Sequence, residues 1–104
     1  MKEIKISTLD EFETQKTKVI EYNGKEIAIF KINETFFAID ERCSHRGGPL
    51  SEGLIEGTQV TCRWHGAKFD LINGRGLCPP AHKNLQTYEV FVKDNSIFLK
   101  VDEK

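Results

Sequence analysis

Cys43-Ser44-His45-Arg46-Gly47-Gly48-Pro49 and, after sixteen residues beyond His45, Cys62-Arg63-Trp64-His65-Gly66 stand apart from the rest of this 104-residue chain. Each segment offers one thiolate and one imidazole, and each is followed by glycine. Glycine lets the backbone approach a bound group closely and adopt φ > 0. The plainest metal site for two cysteines and two histidines is one tetrahedral Zn²⁺. Structural zinc sites, however, space paired ligands two to four residues apart, and Cys43-x-His45 is tighter. A two-metal centre is the other reading. If each loop gives its cysteine to one metal and its histidine to the other, each metal receives a matched pair.

Outward from these segments the pattern is mostly β. Lys2 to Ile6 is a short alternating run, and Thr8-Leu9-Asp10-Glu11 has the spacing of a capping box, which predicts one helical turn after Thr8. Thr17 to Tyr22 and Glu26 to Ile32 flank Asn23-Gly24, a strong hairpin signal. Asn33-Glu34 turns the chain into a further strand, Thr35 to Asp40. Thr87 to Val92 and Ser96 to Val101 flank Lys93-Asp94-Asn95. There Ile97, Leu99 and Val101 alternate with Phe98 and Lys100, as in a half-buried strand. Ile27, Ile29, Val90 and Leu99 are expected core residues. Between Glu41 and His82 lie most of the glycines and all the prolines, histidines and cysteines. Short strands are expected there at Gln59 to Cys62 and Ala67 to Leu71. A β-framework with one loop-rich insert, about 41–82, is the expected organisation, within a single domain spanning 1–104.

Composition narrows the function classes. Charged residues are 30% and hydrophobic residues 38%, and the formal net charge is -1. Nothing basic points to nucleic acid and no charge run points to a membrane surface. No stretch reaches the roughly 20 apolar residues of a bilayer span. Residues 1–13 lack the apolar core of a signal peptide, so a cytoplasmic protein is expected. In that reducing setting, three cysteines are more often ligands, reactive thiols or buried hydrophobes than disulfides. No nucleophile–base pair, phosphate loop or nucleotide fingerprint is evident, so no catalytic residue is assigned.

Cys43-x-His45 followed by Cys62-x-x-His65, with glycines after both histidines, resembles the signature of the Rieske family. The resemblance covers nearly the whole chain. It includes the strands before the first motif, Gly47-Gly48-Pro49, Trp64-His65-Gly66, Phe69-Asp70, Pro79-Pro80 and the closing hairpin. It implies an all-β fold, an antiparallel sandwich or partly open barrel carrying a small loop-rich subdomain. It also implies one [2Fe–2S] cluster per chain, held by Cys43, His45, Cys62 and His65, with His₂ in place of Cys₂ on one iron. Two ferric ions, two sulfides, two thiolates and two neutral imidazoles sum to zero charge. Adding an electron is then easier than in an all-cysteine cluster, and potentials in the family span about -150 to +300 mV.

High-potential members join the two loops by a disulfide, at positions that here hold Gly48 and Trp64. They also place serine and tyrosine hydroxyls against sulfur, at positions that here hold Ala67 and Phe69. This chain therefore resembles the low-potential branch, the ferredoxins of aromatic-ring dioxygenases. The implied role is one-electron transfer from a reductase to an oxygenase or other oxidoreductase, by a monomer that is not itself an enzyme. In this branch His45 and His65 would present their ring edges to the partner and couple reduction to proton uptake at alkaline pH. The alternative is a small subunit or accessory module of a nitrite reductase-type enzyme, and a structural zinc domain is the rival outside electron transfer. Cys78 reads as a small loop residue beside Pro79-Pro80, and His82 as a solvated one. Trp64 reads as packing or shielding. Arg46 and Arg63 read as surface cations that could also favour the reduced state or dock a partner.

Overall fold

A computed structural model describes residues 2–22, 24–42, 49–63, 66–78 and 85–101. Among these, ten strands form two antiparallel sheets. The larger has the order β1-β10-β9-β4-β3-β2, with β1 Lys2–Thr8, β2 Thr17–Tyr22, β3 Lys25–Ile32, β4 Thr35–Asp40, β9 Thr87–Lys93 and β10 Ser96–Val101. The smaller has the order β5-β6-β7-β8, with β5 Leu54–Glu56, β6 Gln59–Thr61, β7 Lys68–Asp70 and β8 Gly76–Cys78.

The large sheet is built from tight hairpins. Tyr22 pairs with Lys25, Ile32 with Thr35, and Lys93 with Ser96, so two residues suffice at each turn. Asp94 and Asn95 both have positive φ, 52° and 63°, as a type I′ turn requires. Lys93 therefore belongs to the strand and not, as expected from sequence, to the turn. The outer strands curl toward each other: Lys18 on β2 donates from Nζ to the carbonyl of Ile6 on β1 at 3.1 Å. Ile6 lies where the β1–β10 register shifts between Lys5 and Ser7. One lysine thus spans the seam of a nearly closed barrel.

The turn expected after Thr8 is present as a 3₁₀ turn, Leu9–Phe12. Its cap differs from expectation, because the Thr8 side chain makes no capping bond. Glu11 is engaged mainly by Lys18, 2.8 Å away, with smaller contributions from Ser7 and the Thr8 backbone. Phe12 is buried and meets Phe36 edge-on, with centroids 5.2 Å apart.

β3 has two buried faces, which explains its unbroken apolar run. Ile27 and Ile29 enter the barrel interior with Ile6, Ala38, Ile97, Leu99 and Val101. Ala28 and Phe30 face the other way and join Ile39, Leu50, Val60, Cys62, Ala67, Phe69, Leu71 and Leu85. The second group unites the small sheet with the framework. Burying each such large side chain stabilises the fold by roughly 1.5–3 kcal/mol. Ile27, Ile29 and Leu99 are core as expected, and Val90 is partly buried against the first group. The expected fold class, a β-barrel-like framework with a loop-rich subdomain, agrees with this architecture. β5 and β8 and the second 3₁₀ turn, Leu50–Glu52, add to what the sequence suggested. β6 and β7 end within a residue of their expected limits.

Candidate metal centre

Of the four candidate ligands, Cys62 is described; Cys43, His45 and His65 lie outside the described residues, as do Arg46, Trp64 and His82 and the side chain of Cys78. Cys62 follows β6 directly. It is 2% exposed and in no disulfide. Its backbone N–H donates to the carbonyl of Ala67 at 2.8 Å, and Gly66 N–H donates to the carbonyl of Cys62 at 2.9 Å. These bonds close the β6–β7 loop on itself. Gly66, with φ 75°, takes the conformation that the glycine after His65 anticipated.

The residues on either side of 43–48 are bonded to each other. Arg42 and Pro49 form an isolated antiparallel bridge. Leu50 N–H donates to the carbonyl of Glu41 at 2.8 Å. The Glu41 side chain is buried, and its carboxylate accepts from Ser51 N–H at 2.8 Å and Ser51 Oγ–H at 2.6 Å. A buried carboxylate is tolerable because it is so bonded. The stretch 79–84 follows β8, which is anchored on β7, and precedes Leu85, whose N–H donates to the carbonyl of Gly74 at 2.7 Å. Leu50, Cys62, Ala67 and Leu85 share one apolar cluster. Residues at the ends of all three stretches therefore share one apolar cluster with Cys62.

A polar network ties the first and third stretches from outside. Tyr88 Oη donates to Asp40 Oδ1 at 2.9 Å, Gln86 N–H donates to Asp40 Oδ2 at 3.2 Å, and Lys25 pairs with Asp40 at 3.1 Å. Burial, then the bond to Asp40, pushes the Tyr88 hydroxyl up from its ordinary value. Burial opposes the Lys25 charge, but bonds to Asp40 and Tyr88 outweigh it and hold the ammonium above its ordinary value.

The described part of this site fits the thiolate side of a cluster with mixed thiolate and imidazole ligation. It presents a buried thiol with no disulfide, ringed by apolar side chains, at the head of a closed loop. Thiolate with imidazole is the donor chemistry of iron–sulfur and zinc centres. Ala67 and Phe69, both buried beside Cys62, bring no hydroxyl. Sequence reasoning missed Glu41, Ser51 and the backbone role of Arg63, whose Nε–H donates to the carbonyl of Glu52 at 2.7 Å. The signals were the acid at position 41, next to the first motif, and Arg63, which lies within the second motif and reads there as a surface cation.

A hairpin-built β-framework with a small second sheet that carries a buried, disulfide-free cysteine at the head of a closed loop defines a class of small all-β protein. The Rieske [2Fe-2S] domain matches residues 2–89, and the chain belongs to that family. Its cofactor is one [2Fe–2S] cluster. The chain is 39% identical over 105 residues to a 3-phenylpropionate/cinnamic acid dioxygenase ferredoxin subunit of Photorhabdus laumondii, covering 100% of this chain and 99% of the relative. It is 34% identical to the ferredoxin component of naphthalene 1,2-dioxygenase/salicylate 5-hydroxylase systems of a Ralstonia species, covering 80% of each. Both relatives are ferredoxin components of dioxygenase systems. The solved complex of reduced oxygenase and oxidized ferredoxin in carbazole 1,9a-dioxygenase matches with a TM-score of 0.87, covering 98% of this chain and 95% of that chain. At 23% identity the last is a likeness of fold. No helix among the described residues is long and apolar enough to cross a membrane.

Proposed function

We propose that this chain is a single-domain ferredoxin, 1–104, that accepts one electron from a reductase and delivers it to an oxygenase of the dioxygenase type. Cys43 and Cys62 would hold the cluster by their thiolates, and His45 and His65 by their imidazoles, within the insert 41–82. The cluster supplies reversible one-electron redox chemistry. The chain's own residues hold it, exclude water on the Cys62 side and set its potential. The observation that carries this reading is the buried, disulfide-free Cys62 thiol, set among the ends of three clamped stretches. Full-length similarity to dioxygenase ferredoxin subunits favours it over a nitrite reductase small subunit. With no hydroxyl from Ala67 or Phe69 to bond sulfur, the reduced cluster gains less stabilisation, and the potential belongs at the low end of the family range. The protein acts as a monomer in the cytoplasm.

The test is visible absorption and EPR on protein purified without oxygen and reduced with dithionite. Two irons, two sulfides and a rhombic signal with the low average g of histidine ligation are expected, at a potential below zero that falls as pH rises through the alkaline range. A colourless protein with one zinc overturns the reading. Co-purification with a large reductase subunit, without turnover in a reductase–oxygenase assay, points to the nitrite reductase alternative.

A further inference from the structure

The turn Leu50–Glu52 is short, yet the sequence-distant parts of the site meet on it. Glu41, on the near side of the stretch 43–48, reaches it through three hydrogen bonds: one to its carbonyl from Leu50 and two to its carboxylate from Ser51. Arg63, from the β6–β7 loop next to Cys62, reaches it by donating to the carbonyl of Glu52. The Leu50 side chain is fully buried in the cluster that holds Cys62. Behind the turn, Gly53 lies hard against β6: a Cβ there would come within 2.5 Å of the Thr61 carbonyl and 2.9 Å of Val60 Cγ2. The turn is thus bonded by Glu41 and Arg63, 9 to 11 positions away on either flank, and packed by the Leu50 side chain and by Gly53 behind it.

These bonds differ from those of ordinary surface loops. Glu41 is 4% exposed, and an unpartnered buried carboxylate is costly. Ser51 satisfies both of its oxygens. Arg63 is exposed, so its burial contributes little to the core. Its contribution lies in the direction of Nε, which only a guanidinium held along that line supplies.

We infer that the turn Leu50–Glu52 is a hub that sets the spacing of the two ligand-bearing stretches, with Glu41, Ser51 and Arg63 as positioning residues for the cluster. The inference rests on the proposed function, in which 43–48 and 62–66 hold that cluster. Loosening the hub releases Glu41 and Arg63, which flank the two ligand-bearing stretches, and opens a route to cluster loss.

The experiment uses the holoprotein with Ser51→Ala, Arg63→Met, Arg63→Lys and the double variant Ser51→Ala/Arg63→Met. Bleaching of the visible absorption in the presence of a chelator gives the rate of cluster loss; EPR g-values and the midpoint potential report cluster geometry. Ser51→Ala and Arg63→Met are each expected to speed cluster loss about tenfold, as for one lost hydrogen bond to or from a charged group, and to shift the g-values. Arg63→Lys, which keeps charge but not Nε, should behave like Arg63→Met. The double variant should lose its cluster less than a hundredfold faster, because both residues act on one element. Since Arg63 is exposed, its variants keep the core intact and the test does not depend on Ser51→Ala folding.

Wild-type rates, g-values and potentials in Ser51→Ala and Arg63→Met overturn the hub. So does rescue by Arg63→Lys, which would assign Arg63 an electrostatic effect, or a strictly multiplicative double variant. A wild-type protein without the Rieske EPR signal overturns instead the functional reading beneath it.

Discussion

The two sheets are stabilised in different ways. In the large sheet, β2–β3 and β3–β4 each pair through six registered positions, and chain neighbours meet across two-residue turns. In the small sheet no strand exceeds three residues. Its order comes from bonds across loops, such as Leu71 N–H to the Thr58 carbonyl at 2.8 Å, and from the side chains it shares with β3. The framework's hairpins β2–β3, β3–β4 and β9–β10 are local, and β1–β10 and β4–β9 join them over long stretches of sequence. The loop-rich half needs the framework, its clamps and its metal, since three-residue strands alone bury too little to be stable.

The sharpest break in this comparison is Cys62→Ala. It should abolish the visible absorption completely and remove amide protection at Val60 and Phe69, while Ile29 and Leu99 stay protected. Hydrogen exchange with spectroscopy measures both; equal loss of protection in the two sheets would dissolve the distinction. Leu99→Ala tests the reverse. Leu99 is fully buried in the barrel interior, and its truncation should cost about 2–5 kcal/mol in denaturant unfolding with an unchanged EPR spectrum.

Gly74 and Gly24 sharpen the contrast, because both have φ 76°. A Cβ at Gly24 meets nothing, whereas one at Gly74 would fall 2.1 Å from the Leu85 carbonyl. Gly24→Ala should cost about 1 kcal/mol, from backbone strain alone. Gly74→Ala should cost about 3 kcal/mol and disturb the stretch that leads to Leu85, seen as faster cluster bleaching.

The smallest effect is acidic. The bond from Lys18 holds the Glu11 carboxyl below its ordinary 4.5. A depressed carboxyl stabilises the fold above its unfolded pKa, and that contribution is lost as pH falls through the folded value. The stability difference between wild type and Glu11→Gln should therefore shrink below about pH 4.5, in urea titrations, and cluster properties should not follow it.

Much of the framework was legible because its signals are local. Asn23-Gly24 and Asn33-Glu34 sit between apolar runs and mark their turns, while Lys93-Asp94-Asn95 marked the last turn one residue too long. The ligand motif was legible as chemistry, through paired thiolate and imidazole at fixed spacing. β5 and β8 were not, because Leu54–Glu56 and Gly76–Cys78 become strands only beside β6 and β7. Neither run is long enough to show alternation. The Glu41–Ser51 and Arg63–Glu52 bonds were illegible for a related reason. They join residues 10 and 11 positions apart, whose meeting depends on where the Leu50–Glu52 turn is packed. The capping spacing at Thr8 predicted a turn but not its bonding, since Lys18 on the next strand, β2, pairs with Glu11.

β3 is a wall shared by two rooms. Ala28 and Phe30 furnish one and Ile27 and Ile29 the other, all at or near zero exposure. A protein engineer who transplants the electron-carrying half onto a new scaffold cannot cut beside this strand. The graft must take Lys25–Asp40 with it, and the recipient must offer a second apolar surface to line the far side.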